Sequence, residues 1–226
     1  MYCPTFLVRR VFIFLCCAFF LLTQTNAEHI KEIKSIEEAR IELESANEKV
    51  LVVFDIDKTL LVSDVPVFEL DQKVRFMPVE AETVEIIHNL QERGVPVIAL
   101  THSGSAPEIR RWRAANLEEI GINFRSAFPL KECEFNEFPQ LFGSYPAFYN
   151  GILCTGGVSK GALLAAFIKR LNLSVDKVIF FDDQFLVCLD VHLAMAQLGI
   201  PVQCYWYRGT LCRDCWADEN VQPVDA

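Results

Sequence analysis

The feature that most constrains the fold of this 226-residue chain is a short apolar run that ends in carboxylates. Val50–Phe54 is continuous in β-branched and apolar residues, and Asp55-Ile56-Asp57 follows it directly. A strand without alternating polar residues is typical of a parallel sheet covered on both faces. Such sheets bind ligands at the carboxyl ends of their strands, so this segment predicts both a fold class and a site.

Two further apolar runs end in the same way. Residues 95–100 lead into Thr101, and residues 177–181 lead into Asp182-Asp183. Apolar periodicity predicts helices between and after these strands and a last strand near the C-terminus; the helices cover 80–93, 107–120, 159–171 and 186–198, and the strand covers 202–206. This alternation predicts an α/β fold, a Rossmann-like parallel sheet with helices on both faces.

Two segments fit this pattern less directly. Residues 28–48 are charged and helix-prone, and the apolar residues Ile30, Ile33, Ile36, Ala39 and Leu43 are spaced for one helix face. Residues 122–158 are aromatic-rich and broken by Pro129, Pro139 and Pro146. We expect a small cap-like insert there, whose aromatic side chains form its own core more readily than a lid. One domain then covers residues 28–226.

The first 27 residues have the pattern of a secretory signal peptide. Arg9 and Arg10 precede an apolar run over residues 11–22, and Thr25-Asn26-Ala27 offers small residues for cleavage. The apolar run is short for a membrane span, which needs about 20 residues, although an uncleaved anchor is the alternative. The sequence therefore predicts an exported protein, periplasmic or secreted, without stable membrane insertion after cleavage.

The charge balance bears on the class of partner. The chain has 30 acidic and 21 basic residues, a formal net charge of −9, and removal of the leader deletes two arginines and no acid. An acidic chain without a basic stripe repels a nucleic-acid backbone. We therefore exclude nucleic acid as a partner and expect a small phosphorylated substrate. The oligomeric state is left open.

The predicted mature chain keeps six cysteines: Cys133, Cys154, Cys188, Cys204, Cys212 and Cys215. An even number in an exported chain permits disulfides, but the spacing does not define their pairing. The single C-x-x-C pair, Cys212 and Cys215, lacks the second pair that a structural zinc site requires. A local disulfide or inert thiols are favoured over redox catalysis.

The two carboxylates after the first strand can perform separate chemical steps. Asp55 can attack phosphorus as a nucleophile and form an acyl phosphate. Asp57 can serve as general acid and base, giving a proton to the leaving group and taking one from water. A phosphate dianion and Asp55 repel each other unless a cation lies between them, so this chemistry requires a metal ion held by carboxylates.

With Asp55-Ile56-Asp57-Lys58-Thr59 after a strand, the chain resembles the haloacid dehalogenase-like (HAD) superfamily, whose first motif is D-x-D-x-T. The resemblance implies that Thr101 and Lys160 bind the phosphoryl group. It also implies that Asp55, the Asp57 main-chain carbonyl, Asp182 and Asp183 hold Mg²⁺. His102 is a further candidate phosphate ligand because it follows Thr101, although an exposed loop histidine is the more common situation.

The motifs T-H-S-G, G-I-L-C-T-G-G-V-S-K-G and F-F-D-D look most like exported bacterial members of that superfamily, of unknown function. The second aspartate implies phosphoryl transfer, because dehalogenases of the superfamily lack it. Members often carry an Asn beyond the acidic pair, whereas Gln184-Phe185 stands here.

The resemblance and the residues together predict an exported Mg²⁺-dependent phosphatase that works through an aspartyl-phosphate on Asp55. The alternative is a catalytically degenerate HAD-like protein that binds a metal, a ligand or an envelope partner. A phosphotransferase would differ only in the acceptor. A signalling receiver domain is disfavoured, because its acidic pair lies on the first strand and here the pair follows Lys160.

Overall fold

The computed structural model of the chain describes residues 30–63 and 75–210. The predicted leader over residues 1–27 and the Cys212–Cys215 pair lie outside the described residues, so those interpretations stay predictions. Within the described part of the chain, no helix is both long enough and apolar enough to cross a membrane.

Ten strands are described, in chain order: β1 (Ile30–Ile33), β2 (Val50–Phe54), β3 (Leu61–Ser63), β4 (Phe76–Pro78), β5 (Val97–Thr101), β6 (Glu132–Glu134), β7 (Ala147–Tyr149), β8 (Ile152–Cys154), β9 (Lys177–Asp182) and β10 (Val202–Tyr207). Eight of them form one sheet in the order β1-β10-β9-β2-β5-β8-β7-β6. In this spatial order, the first six strands, β1-β10-β9-β2-β5-β8, pair in parallel. The last two, β7 and β6, continue the sheet in antiparallel pairing. The separate pair β3 and β4 is an antiparallel hairpin.

Helices cover both faces of this sheet. A 3-10 turn over Ile36–Ala39 leads into the short helix α1 (Arg40–Glu44). Four longer helices follow: α2 (Ala81–Glu92), α3 (Pro107–Glu119), α4 (Lys160–Arg170) and α5 (Phe185–Gln197). One buried cluster joins the sheet to α1, α2 and α3, and a second joins it to α4 and α5. The predicted α/β class, a mostly parallel sheet flanked by helices and consistent with a Rossmann-like fold, is confirmed.

The continuous apolar runs explain this placement. All five residues of β5 are buried, as are four of five in β2 and five of six in β9. Alternate side chains of each strand enter opposite clusters, for example Val52 and Phe54 on one face and Leu51 and Val53 on the other. Central parallel strands of this kind need apolar residues at every position.

The prediction of one helix over residues 28–48 is wrong at its start. Residues Ile30–Ile33 form β1, which pairs in parallel with β10 at the edge of the sheet, and helical structure begins only at Ile36. The predicted apolar face is nevertheless buried. The hydrogen-bond partners of β1 lie at residues 204–207, and such a distant pairing leaves no local signal.

The aromatic segment 122–158 does not stand above the sheet as a cap. It contributes β6, β7 and β8 to the main sheet, and Phe135 and Phe148 are buried in the cluster with α4 and α5. This packing agrees with the expectation that its aromatic residues form a core, but the core is shared with the domain. The hairpin β3–β4 is the element that leaves the sheet directly after Asp55 and Asp57.

The four cysteines that the structure describes, Cys133, Cys154, Cys188 and Cys204, are free thiols. Burial raises the pKa of Cys154 to about 11 and that of Cys204 to about 12. Thiols with such pKa values stay protonated near neutral pH and react slowly. We therefore expect Cys154 and Cys204 to be unreactive.

Candidate functional site

The site lies where the parallel strands end. Asp55 directly follows β2, Thr101 is the last residue of β5, and Asp182 is the last residue of β9. Because β2 pairs with both β5 and β9 in parallel, the three strand ends lie side by side at one edge of the sheet. The Asp55 amide donates a hydrogen bond to the Phe181 carbonyl at 2.9 Å, which fixes the main chain at this point.

Lys160 joins two of these carboxylates. It is the first residue of α4, and its Nζ lies 2.5 Å from Asp55 Oδ1 and 2.7 Å from Asp182 Oδ2. All three side chains are buried, and Lys160 is only 1% exposed. An ammonium removed from water to this degree is stable only when carboxylates compensate it. The predicted association of Asp55, Lys160 and Asp182 is therefore present in the structure.

The pKa values of these buried groups reflect their burial and the charges of their neighbours. Burial, and after it the charge of Asp182, raises the pKa of Asp55 from its ordinary value of 3.8 to about 7, although Lys160 opposes the shift. Burial likewise raises the pKa of Asp182 and of Asp183, and Asp55 adds to the effect at Asp183. Desolvation alone would lower the pKa of Lys160, but the charges of Asp55 and Asp182 outweigh it and raise that pKa.

The donor set suits a hard divalent cation. Carboxylate oxygens of Asp55, Asp182 and Asp183 all lie within 4.8 Å of one another. Of the described side chains, Lys160 is the cation in contact with this group, so the negative charge is only partly balanced. Oxygen ligands at such spacing are those that Mg²⁺ prefers. The residues present therefore fit Mg²⁺.

Gln184, which follows the acidic pair, contacts this group through both its main chain and its side chain. The Gln184 amide donates a hydrogen bond to Asp182 Oδ1 at 2.9 Å. The Trp206 indole donates to the Asp183 carbonyl at 3.0 Å. The Gln184 side chain also hydrogen-bonds to Asp183 and so opposes the rise in the pKa of that carboxyl.

Asp57, the candidate acid and base, has a partner that the sequence analysis missed. Arg113 of α3 donates from Nη1 to Asp57 Oδ1 at 2.7 Å and from Nη2 to Asp57 Oδ2 at 2.8 Å. The Arg113 side chain is 12% exposed and that of Asp57 is 49% exposed. Two parallel contacts of this kind fix a carboxylate far better than one.

The predicted phosphate-binding residues beside this cluster differ in burial. Thr101 is fully buried, and its hydroxyl oxygen accepts a hydrogen bond from the Ser103 amide at 3.1 Å. His102 is exposed; partial desolvation lowers the pKa of its imidazole, and the charge of Lys160 acts in the same direction. Thr101 therefore belongs to the buried edge of the sheet and His102 to its rim.

Asp190 is a second residue that the sequence analysis missed. It lies on α5 and accepts hydrogen bonds from Ser159 Oγ, at 2.8 and 2.9 Å, and from the Gly161 amide at 2.8 Å. These contacts secure the first turn of α4, which carries Lys160. The available signal was a single acidic residue in a mostly apolar helix, since such a carboxylate needs a donor on a neighbouring element.

Fold and site together define the class of protein: an α/β protein with a buried lysine–aspartate cluster at the carboxyl edge of a parallel sheet. Residues 67–225 match the family described as protein of unknown function (DUF2608), and the chain belongs to that family. The matched segment includes Thr101, Lys160, Asp182 and Asp183, and it begins after Asp57.

Relatives occur in Rickettsia. An uncharacterized protein of Rickettsia bellii is 24% identical over 175 residues, which are 74% of this chain and 57% of that protein. The uncharacterized protein RP296 of Rickettsia prowazekii is 27% identical over 132 residues, 55% of this chain and 47% of the relative. The chain thus spans about half the length of these relatives.

Two solved structures resemble the fold. The N-terminal part of BF1531 from Bacteroides fragilis, which contains a phosphatase domain and was crystallised with Mg, has a TM-score of 0.40 at 17% identity, covering 73% of this chain and 37% of that one. DsGPDH of Dunaliella salina has a TM-score of 0.40 at 16% identity, covering 77% and 26%. Likenesses this weak do not bear on function.

Proposed function

We propose that the protein is an exported Mg²⁺-dependent phosphatase of the HAD type that hydrolyses a small phosphorylated compound through an aspartyl-phosphate on Asp55. The observation that carries the proposal is the buried cluster at the carboxyl edge of the sheet. There Lys160 contacts Asp55 and Asp182, and Asp183 lies within reach of both carboxylates.

The charge of the cluster supports the cofactor assignment. Three carboxylates face one ammonium, and burial raises the pKa of each carboxylate, so the ionised cluster requires a further cation. Asp55, Asp182, Asp183 and the Asp57 carbonyl would hold Mg²⁺. When bound, the ion supplies positive charge between the nucleophile and the phosphate oxygens.

The residues of the chain then divide the chemistry. Asp55 attacks phosphorus, the bond from phosphorus to the leaving oxygen breaks, and that oxygen takes a proton from Asp57. Water next attacks the aspartyl-phosphate, gives a proton to Asp57, and releases inorganic phosphate and the free Asp55 carboxylate. Thr101, His102 and Lys160 would hold phosphoryl oxygens, since positioning and charge stabilisation dominate phosphoryl transfer.

One observation favours the alternative of a HAD-like binding protein without turnover. Arg113 contacts both oxygens of Asp57, so neither oxygen is free to serve as acid or base while both contacts are made.

Export and a small phosphorylated substrate are the remaining parts of the proposed function. They are supported by the leader-like residues 1–27 and by the acidic charge balance.

Hydrolysis of an aryl phosphate by the purified protein separates the two candidates. We expect turnover with Mg²⁺, none with chelator, and a loss of more than about 10³-fold in Asp55→Asn, which keeps the shape of the side chain but not its nucleophile. Glu82→Gln, on an exposed part of α2, is the matched control and should keep full turnover. Magnesium binding by the folded protein without turnover on a panel of phosphorylated metabolites would instead support the binding protein.

A further inference from the structure

The contact between Arg113 and Asp57 has a geometry that a surface ion pair seldom has. Both terminal nitrogens of the guanidinium meet both oxygens of the carboxylate, at 2.7 and 2.8 Å. The Asp57 carboxylate can therefore rotate only if one of these contacts breaks. Isolated exposed pairs rarely hold a side chain in this manner, whereas a fork of two parallel contacts defines its orientation.

Arg113 is itself held in place. It is 12% exposed, its guanidinium lies 5.0 Å from the ring centroid of Trp112, and its Nε is buried without a hydrogen-bond partner in the described part of the chain. Trp112 in turn meets Phe76 of β4 edge to face, with ring centroids 5.6 Å apart. The arginine thus belongs to a packed contact between α3 and the hairpin that follows Asp57.

We infer that Arg113 is a positioning residue for Asp57: it keeps one carboxylate oxygen in contact while the other is directed at the leaving oxygen. This inference rests on the proposed function. Arg113 exchanges no proton and forms no bond to phosphorus. During the reaction, one of the two contacts between Arg113 and Asp57 breaks and the other is kept. The kept contact fixes the carboxylate, so that Asp57 gives its proton along one defined direction.

Arg113 could instead bind the substrate, and that role makes a different prediction. An arginine near a phosphate site can bind a second anionic group of the substrate. That role would leave the chemical step on a simple substrate unaffected. Here, however, both terminal nitrogens already face Asp57, and the remaining Nε is buried, so the resting geometry favours Asp57 as the partner.

Two substrates that share a phenyl ring but differ in leaving group test the inference. Phenyl phosphate expels a basic phenolate that needs a proton, whereas 2,4-dinitrophenyl phosphate expels a weakly basic one that does not. We expect Arg113→Met to lower kcat/KM, which reports the steps up to phosphorylation of Asp55 and excludes hydrolysis of the intermediate, about 10²-fold for phenyl phosphate and less than about threefold for the dinitrophenyl ester. Arg113→Lys, which can keep one contact, should recover part of the loss. Arg111→Met is the matched control, since Arg111 is an exposed residue of the same helix, and it should change neither rate.

A double-mutant comparison completes the experiment. Asp57→Asn should show the same dependence on the leaving group, and Arg113→Met should add almost nothing in that background, because residues that act as one unit are not additive. An equal loss on both esters, or additive losses in the double mutant, would overturn the inference while leaving the phosphatase assignment intact. A rise in KM alone would assign Arg113 to substrate binding and also overturn it. If the wild-type protein with Mg²⁺ hydrolysed neither ester, the proposed function would fail, and this inference with it.

Discussion

Replacement of Lys160 tests whether its positive charge stabilises the buried carboxylates of the site. Lys160→Met removes the ammonium that contacts Asp55 and Asp182 and leaves two buried carboxylates without that partner. We expect the free energy of unfolding in chelator to fall by about 3–5 kcal/mol. Chemical denaturation measures this, with Lys169→Met as control, because Lys169 is exposed on the same helix and should change stability by about 0.5 kcal/mol or less. Equal stability of the two variants would argue against the account.

Asp55→Asn should have the opposite effect on stability. It removes one of the mutually repelling carboxylates but keeps an oxygen near Lys160, so stability in chelator should be unchanged or higher although turnover is lost. Thermal unfolding and an aryl phosphate assay on one preparation measure both properties. A large destabilisation by Asp55→Asn would mean that Asp55 is mainly a structural partner of Lys160.

At the residue scale, the sequence predicts those site residues whose place follows from their position at the end of a strand. Asp55, Thr101 and Asp182 could be predicted because each ends an apolar strand, and parallel strands bring such ends to one edge. The partners of Arg113 and Asp190 could not be predicted, since each side chain reaches another element. The packing of α3 beside the turn after β2, and of α5 beside α4, decides these contacts, and no local pattern encodes it.

At the element scale, the close packing of α4 on α5 leaves no room for a side chain at Gly161. A Cβ at this position would lie 2.6 Å from the Asp190 carbonyl oxygen and 2.9 Å from the Ala194 Cβ. Alanine normally stabilises a helix interior relative to glycine by about 1 kcal/mol, but here we expect Gly161→Ala to destabilise by about 1–3 kcal/mol. It should also lower activity, because α4 begins with Lys160. Urea denaturation compares it with Ala162→Gly, an exposed neighbour that should show only the loss of helix propensity.

The same scale shows why two elements were predicted wrongly. Ile30 and Ile33 are both buried in β1, and their three-residue spacing imitates a helix face. The aromatic segment 122–158 has short strands of three residues, too brief to show a period, and its place at the sheet edge depends on the pairing of β8 with β5. Long apolar strands and helices were predictable because their periodicity is repeated over several turns or residues.

At the scale of the whole molecule, the site should make stability depend jointly on pH and Mg²⁺. The pKa of Asp55 is raised from 3.8 to about 7, so the folded state holds this proton more tightly than the unfolded state. That contribution is complete below about pH 4 and is lost as the pH rises to about 7. In chelator, Asp55 should therefore destabilise the protein increasingly over this range, and the raised pKa values of Asp182 and Asp183 act in the same direction.

Magnesium should offset this loss, because a cation that binds the ionised cluster in the folded state stabilises that state. At about 100 times its dissociation constant we expect a gain of about 2.7 kcal/mol. The rise in Tm on adding Mg²⁺ should be larger at pH 8 than at pH 5, and Asp183→Asn should reduce it. Scanning calorimetry with and without chelator measures both effects. A rise in Tm that is equal at the two pH values would place the bound ion away from these carboxylates.

The most direct test of the central claim is to locate the covalent intermediate. The protein is mixed with an aryl phosphate and Mg²⁺, quenched in acid, reduced with borohydride, which converts an acyl phosphate to an alcohol, and mapped by peptide mass spectrometry. We predict reduction at Asp55 alone, absent when chelator replaces Mg²⁺ and absent in Asp55→Asn. Turnover that leaves Asp55 unmodified, or that persists in Asp55→Asn, would contradict the account.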